Sequence, residues 1–304
     1  MGEGTQRRPG LAQPDVSACC PVVNARGLNL PPVDDRHEAA REANRFLDVR
    51  TSSDRALTCA ATSAIASRET QLRVRAWAGS MRRMSRHWAL FDLRLRTPRL
   101  ELRLPTEALI DDLIDVALDG VHDPDFMPFA VPWTDAPRDQ LPLNTLQFFW
   151  QTLAEFRTDS WRLPFAVLHH GLAVGTQLLR ADEFSVLREV STGSWLGRAY
   201  QGQGIGTEMR AAVLHLAFDG LGAEYANSAA FTDNLASHRV SRKLGYVENG
   251  IERRRRRDGI VTDVRLRLDR AAWGVHRTIP VTVEGLEACL PALGVGAQPA
   301  LEQS

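Results

Sequence analysis

The spacing of apolar residues changes character near residue 84. Before it, residues 1–83 scatter Pro, Gly, Ser and Arg with no sustained period of 3.6 or 2, apart from Arg36–Val49, whose spacing suits a short helix. This segment is expected to be disordered or weakly helical, with Met84 the expected true translation start. Beyond it, Leu93, Leu95, Leu100, Leu102 and Leu104 mostly alternate with polar residues, which predicts extended chain. Thr106 then caps a helix whose Leu109, Ile110, Leu113, Ile114, Ala117 and Leu118 form one apolar stripe, ended by Gly120. A second stripe, Leu143, Leu146, Phe149, Trp150 and Leu153, follows the Pro- and aromatic-rich loop His122–Pro137, which is long enough to suggest a binding role.

Strands and helices alternate from there. Leu163–His169 and Leu172–Leu179 flank a tight His170-Gly171 turn, and Arg188–Leu196 reads as another strand. Ile205–Phe218 is helical, Tyr225–Phe231 a strand, Leu235–Leu244 a helix, and Tyr246–Leu268 a hairpin turning at Asp258-Gly259. Thr278–Val283 and Leu286–Leu293 suggest one more strand and a short helix, and Gly294–Ser304 a tail. The class is mixed α/β, with one domain over residues 84–293.

Composition narrows the function. Lys+Arg and Asp+Glu number 37 each, so no global field recruits nucleic acid or an anionic membrane, and neither is expected as a partner. Of the basic residues only Lys243 is a lysine, the mark of a high-GC coding sequence of actinobacterial kind. No run of about 18 apolar residues crosses a bilayer and no signal-peptide order opens the chain, so the expected location is cytoplasmic. Cys19, Cys20, Cys59 and Cys289 lack ligand spacing, and His169-His170 and His215 lack carboxylate partners at ligand spacing, so no metal site is expected.

One motif carries chemistry. Gln201-Gly202-Gln203-Gly204-Ile205-Gly206-Thr207 stands between a strand and a helix. A helix N-terminus offers unpaired N–H groups and partial positive charge, and glycines let a phosphate approach. The amides of Gln203 to Thr207 are therefore expected to wrap a pyrophosphate, with the Gln201 side-chain amide assisting. A P-loop would need GxxxxGK[ST], yet Lys243 lies far downstream; a dinucleotide fingerprint would need GxGxxG, yet the spacing is GxGxG. A glycine turn without a ligand is the bland alternative. Arg253–Arg257 is the loudest charge run and reads either as a solvated edge hairpin or as an attractor for an acidic acceptor or a carboxylate-bearing acyl donor.

At this junction the sequence resembles the GNAT superfamily, whose signature [QR]xxGx[GA] is met by Gln201, Gly204 and Gly206. Thr97-Pro98-Arg99-Leu100-Glu101-Leu102-Arg103 is similar to the first strand of the RimJ/RimL-type branch, and Asn234-Leu235-Ala236-Ser237 with Lys243-Leu244-Gly245-Tyr246 to its second motif. The openings Met84-Ser85-Arg86-His87-Trp88 and the phrases Met127-Pro128-Phe129, Val131-Pro132-Trp133 and Gly193–Gly197 are similar to mycobacterial members, which implies succinyl as a further donor group.

The resemblance implies a single GNAT-like domain with a central twisted mixed sheet flanked by helices. It implies direct acyl transfer from acetyl-CoA or succinyl-CoA to a primary amine of a protein N-terminus, a lysine or a small molecule. No cysteine lies between Met84 and Leu268, in keeping with a route that has no acyl-enzyme. It further implies CoA contacts from Asn234 and Ser237, although Asn234 also reads as a plain N-cap. It implies an oxyanion donor among the backbone N–H groups at Leu196-Gly197, and a carboxylate base on the strand before the loop, where Glu189 stands with Ser191 facing the same way. Asp182 and Glu183 are alternative bases acting through water. Ser241 occupies the position where many members carry a thiolate-protonating tyrosine and is expected only to orient. That absence leaves open a CoA-binding sensor or interaction module without catalysis, and a homo-oligomer is compatible with either.

Overall fold

The structure is a computed structural model, and it describes residues 87–296. The expectations for residues 1–83, for Met84 as a start and for the chain after 296 lie outside the described residues. Two short strands open the sheet, β1 (Arg94–Arg96) and β2 (Leu100–Arg103), which place Leu95, Leu100 and Leu102 inward through their alternation. The sequence pattern joins them; the turn Thr97–Arg99, closed by Thr97 N–H on the Leu100 carbonyl at 2.9 Å, separates them.

Helix α1 (Glu107–Leu118) starts where the Thr106 hydroxyl accepts from the Leu109 N–H, and it buries Leu109, Ile110, Leu113, Ile114 and Ala117. Helix α2 (Leu141–Ala154) lies on the same layer, but its buried face is Leu141, Thr145, Phe149 and Thr152. Leu143 and Trp150, members of the apolar stripe read from the sequence, are about half exposed. The threonines take the buried places because their hydroxyls donate to the carbonyls of Leu141 and Phe148, four residues back, at 2.8 and 2.7 Å.

β3 (Ser160–His169) and β4 (Leu172–Asp182) form the long central hairpin. A single helical turn, α3 (Phe184–Leu187), leads to β5 (Glu189–Leu196), then come α4 (Ile205–His215), β6 (Tyr225–Phe231), α5 (Leu235–Lys243) and the hairpin β7 (Val247–Arg256) with β8 (Gly259–Asp269). Helix α4 runs on into a π-helical turn, Leu216–Gly220. Helix α6 (Arg270–His276) and β9 (Thr282–Glu284) complete the elements, and the helix expected at Leu286–Leu293 is a single 3₁₀ turn at Glu287–Cys289.

The described strands make one nine-stranded mixed sheet in the order β7-β8-β6-β5-β4-β3-β2-β1-β9. Every neighbouring pair is antiparallel except β5 with β6. Helix α4 is buried against one face through Ile205, Met209, Val213 and Leu214, in the main core with Leu102, Phe165, Val190 and Leu266. Helices α1 and α2 cover the other, packing Leu113, Ile114 and Phe149 on Ala166, Leu168 and Ala173. This is the mixed α/β class with a central sheet flanked by helices that the sequence suggests.

Candidate active site

The parallel pair β5/β6 is joined only over Glu189–Ser191 and Tyr225–Asn227. Beyond that point β5 keeps its ladder with β4 up to Leu196, and β6 keeps its ladder with β8 up to Phe231. Each strand follows its antiparallel partner, and the sheet splits between them. The split is the floor of a cleft of about 640 Å³, lined by Thr192–Leu196 on one side and Ser228–Phe231 on the other.

Strand register decides which backbone groups look into it. Gly197 N–H donates to the Val174 carbonyl at 3.0 Å, so that pair is hydrogen-bonded across β4/β5. Alternation then turns the N–H groups of Ser194 and Leu196 toward the side that β6 has left. Of the two residues expected to supply an oxyanion donor, Leu196 faces the cleft and Gly197 is spent on the sheet.

The glycine loop stands at the mouth of the split. Gly202 and Gly204 have φ of 74° and 82°, a left-handed backbone that glycine adopts without a Cβ penalty. Gly204 is the N-cap residue of α4, and its carbonyl accepts from Thr207 N–H at 3.1 Å and Glu208 N–H at 3.2 Å. Thr207 therefore offers the cleft its side chain and not its amide. Among the described residues no group accepts from the N–H groups of Gln203, Gly204, Ile205 or Gly206. Gln201 also departs from expectation, since its side-chain amide donates to the carbonyls of Val121 (2.7 Å) and Leu196 (2.9 Å). It ties the loop to the end of β5 and to the start of the 122–137 loop.

Of the residues expected to hold a cofactor, Leu196, Gln201, Gly202, Gly204, Gly206, Thr207, Asn234 and Ser237 border the cleft. Gln203 and Gly197 do not, and the Ile205 side chain is a core residue. The Asn234 side chain accepts from Ser237 N–H at 3.1 Å, so the N-cap reading of Asn234 holds while both residues face the cleft. Four cations not expected among the site residues also line it: Arg198, Arg210, Arg239 and Lys243, and of these Arg198, Arg239 and Lys243 have no ion-pair partner among the described residues. Arg239 and Lys243 are four apart on α5, and Lys243 is the chain's one lysine, which were the available signals.

The residues expected to be catalytic sit elsewhere. Glu189 and Ser191 lie below Thr192, the first β5 residue to border the cleft, with Glu189 about 10 Å back along a strand that rises about 3.3 Å per residue. Glu189 is a brace: Arg267 and Asn227 (2.9 Å) occupy its two oxygens where the strands are still paired. Ser241 is buried and not itself on the lining; it accepts at 2.8 Å from Nη1 of Arg210, which lines the cleft, and so stands one residue behind the wall. The carboxylates that do line the cleft are Asp123 and the buried Asp263, the latter paired to Arg254 Nε at 3.1 Å. A phenol is close too: Tyr246 OH lies 3.4 Å from Thr192 Oγ1, and burial raises its pKa above the usual value.

The other wall comes from His122, Asp123, Phe126, Pro128, Phe129 and Ala130. His122 Nε2 meets Thr134 Oγ1 at 2.6 Å and its ring packs edge-on to Phe129. The arginine run lies on an edge hairpin, with Arg253 and Arg255 exposed, and four of its five members make ion pairs. Arg254 pairs with Glu252 and Asp263, Arg255 with Asp258 and Arg256 with Asp233, while Arg257 makes a two-pronged contact with Asp135 at 2.8 Å per bond and donates to the Pro124 carbonyl at 3.1 Å. The Arg257 hydrogen bond holds the Asp135 carboxyl below its ordinary pKa.

Residues 99–247 match the family model described as acetyltransferase (GNAT) domain. The chain carries a GNAT acetyltransferase domain. RimJ of Mycobacterium smegmatis, solved with a CoA disulfide, shares the fold at 16% identity and a TM-score of 0.50, over 67% of this chain and 96% of that one. A GCN5-related N-acetyltransferase from Brucella melitensis aligns at 19% identity and a TM-score of 0.49, over 60% and 81% of the two chains. RimL, a ribosomal L7/L12 α-N-protein acetyltransferase solved with CoA, aligns at 17% identity and a TM-score of 0.47, over 58% and 97%.

The GNAT domain is an enzyme domain that moves an acyl group from CoA, and acetyl-CoA is the donor the family uses. Among the described residues no helix is long and apolar enough to cross a membrane, and no group of three or more His, Cys, Asp or Glu is placed to hold a metal ion.

Proposed function

We propose that this GNAT domain transfers an acetyl or succinyl group directly from CoA to a primary amine, on a protein N-terminus, a lysine or a small molecule, in the cytoplasm. The observation that carries this reading is the split between β5 and β6, with the open amides of Gln203–Gly206 at its mouth. CoA is long, with phosphates at one end and a thioester at the other. The loop amides and the cations Arg198, Arg239 and Lys243 suit the phosphates, and the split suits the thioester arm.

In this reading Leu196 N–H stabilises the oxyanion formed when the amine attacks the thioester carbon, and the C–S bond then breaks to release CoA thiolate. A thiolate whose thiol has a pKa near 8.5 leaves without a strong acid. The amine must arrive neutral, and Asp263 is the proton acceptor we assign: both it and Glu189 are paired to an arginine, and of the two only Asp263 borders the cleft. The 122–130 wall receives the acceptor.

Thermal unfolding with acetyl-CoA, succinyl-CoA and free CoA tests the donor. A ligand held at about one hundred times its Kd stabilises the folded state by about 2.7 kcal/mol. Equal stabilisation by all three leaves the acyl group unread, and a larger shift with succinyl-CoA selects that donor. No shift with any of them sinks the CoA reading. Steady thiol release on adding an amine would exclude a sensor that binds CoA without turnover.

A further inference from the structure

Arg99, from the turn between β1 and β2, reaches across to the glycine loop 104 residues later. Its Nη1 donates to the Gln203 carbonyl at 3.1 Å. The rest of the guanidinium is fixed on Glu208 of α4, with Nε at 2.7 Å and Nη2 at 2.6 Å from Oε2. Glu208 is buried, and its second oxygen accepts from Thr97 Oγ1 at 2.6 Å and from Arg99 N–H at 3.1 Å. A carboxylate taken out of water and satisfied by four donors from one turn is a rigid mount for the arginine.

The mount has a directional consequence. In a trans peptide the C=O and the following N–H point opposite ways, and no described peptide bond is cis. With the Gln203 carbonyl held outward on Arg99, the Gly204 N–H is turned toward the cleft that Gly204 lines. Were that peptide to flip, a carbonyl oxygen would face an anion where a donor is needed, and glycines at Gly202 and Gly204 leave little steric resistance to flipping.

We infer that Arg99 is a positioning residue for CoA binding, mounted on Glu208 and Thr97, which fixes the Gln203–Gly204 peptide with its N–H toward the pyrophosphate. The inference rests on the reading of Gly202–Gly206 as the CoA phosphate loop. Because Arg99 and Glu208 neutralise each other, the pair supplies direction and not field, so its effect resists salt. Lysine cannot replace it, since one ammonium cannot serve both the carboxylate and the carbonyl with fork geometry.

Calorimetric titration of the full chain with CoA and with pantetheine, which lacks the phosphates, tests this. Arg99→Gln should weaken CoA about tenfold, the size of one lost charge-assisted hydrogen bond, and leave pantetheine unchanged. The loss should persist at high ionic strength, and Arg99→Lys should recover little of it. Arg99→Gln leaves Glu208 buried without its cation, so where it lowers the melting temperature the double variant Arg99→Gln/Glu208→Gln carries the test; it should regain stability and still bind CoA about tenfold more weakly. Gly206→Asp is the control on the loop, because a Cβ there meets only ordinary contacts, 3.6 Å to Val240 and 3.8 Å to Leu196, and the carboxylate repels phosphate.

Tight CoA binding by both Arg99 variants, with loss in Gly206→Asp, overturns the positioning role and leaves the loop reading standing. Tight binding by Gly206→Asp overturns both. Equal weakening of CoA and pantetheine by the Arg99 variants makes the arginine a plain structural residue and also overturns the proposal.

Discussion

The two halves of the cleft are built in different ways. The half we propose for the cofactor is mostly backbone, with glycines of left-handed φ, the open start of α4 and the N-cap of α5 within Gln201–Thr207 and Asn234–Ser237, rimmed by Arg198, Arg239 and Lys243. The half we propose for the acceptor is made of side chains brought together from far apart. Asp135 and Arg257 are 122 residues distant and meet at 2.8 Å, and Asp263 stands beside Phe231 through the β6/β8 register. A site made from consecutive amides is set by a short local sequence, whereas one made from paired side chains depends on the whole sheet being in register.

The comparison would break first at Asp263. Asp263→Asn should lower turnover about a hundredfold, the low end for a general base, while the KM for acyl-CoA stays in place. Steady-state kinetics with both substrates varied would separate the two halves, and wild-type turnover in this variant would move the proton acceptor elsewhere.

A smaller effect is expected at the Arg257–Asp135 contact, which joins the turn of the β7–β8 hairpin to the acceptor wall. Arg257→Gln or Asp135→Asn should raise the acceptor KM by a few-fold at most, because both side chains are over one-third exposed and such pairs contribute about 0–1 kcal/mol. The double variant should be no worse than either single one. The pH dependence has a definite sign: the Asp135 pKa is lowered on folding, so the contact is fully present above the ordinary carboxylate value of 3.8 and is lost as pH falls through the lowered one. Acceptor KM should therefore be indifferent to this pair between pH 5 and 8 (roughly the working range) and rise only in acid. A midpoint near neutrality would contradict it.

The smallest effect on catalysis belongs to Glu189. Glu189→Gln should leave turnover unchanged and lower the melting temperature by about 2–4 °C, since it loosens Arg267 and the closed end of the β5/β6 pair. A large fall in turnover without a change in melting would restore Glu189 as the base and make the brace incidental.

Much of this architecture is legible along the chain. The Thr106 cap, the α1 stripe, the His170-Gly171 turn and the strand–glycine loop–helix order all appear where local pattern puts them. Helix α2 misleads, because Thr145 and Thr152 look polar on paper yet fold their hydroxyls back onto the helix and bury, leaving Leu143 and Trp150 outward. The arginine run misleads for a related reason: a charge on an edge strand is taken as solvated until a carboxylate from another segment appears beside it, as Asp135, Asp233 and Asp263 do here.

By itself, then, the sequence determined the class of fold, the glycine loop between strand and helix and the serine at Ser241, since each is a matter of neighbouring residues and their backbone freedom. Only the tertiary structure decided that the Gln201 amide ties the loop to Val121 and Leu196, that Leu196 and not Gly197 turns its N–H toward the cleft, and that Glu189 braces the strands while Asp263 faces the cleft. These are choices among donors and acceptors of similar chemistry, and hydrogen-bond partners set by strand register make them.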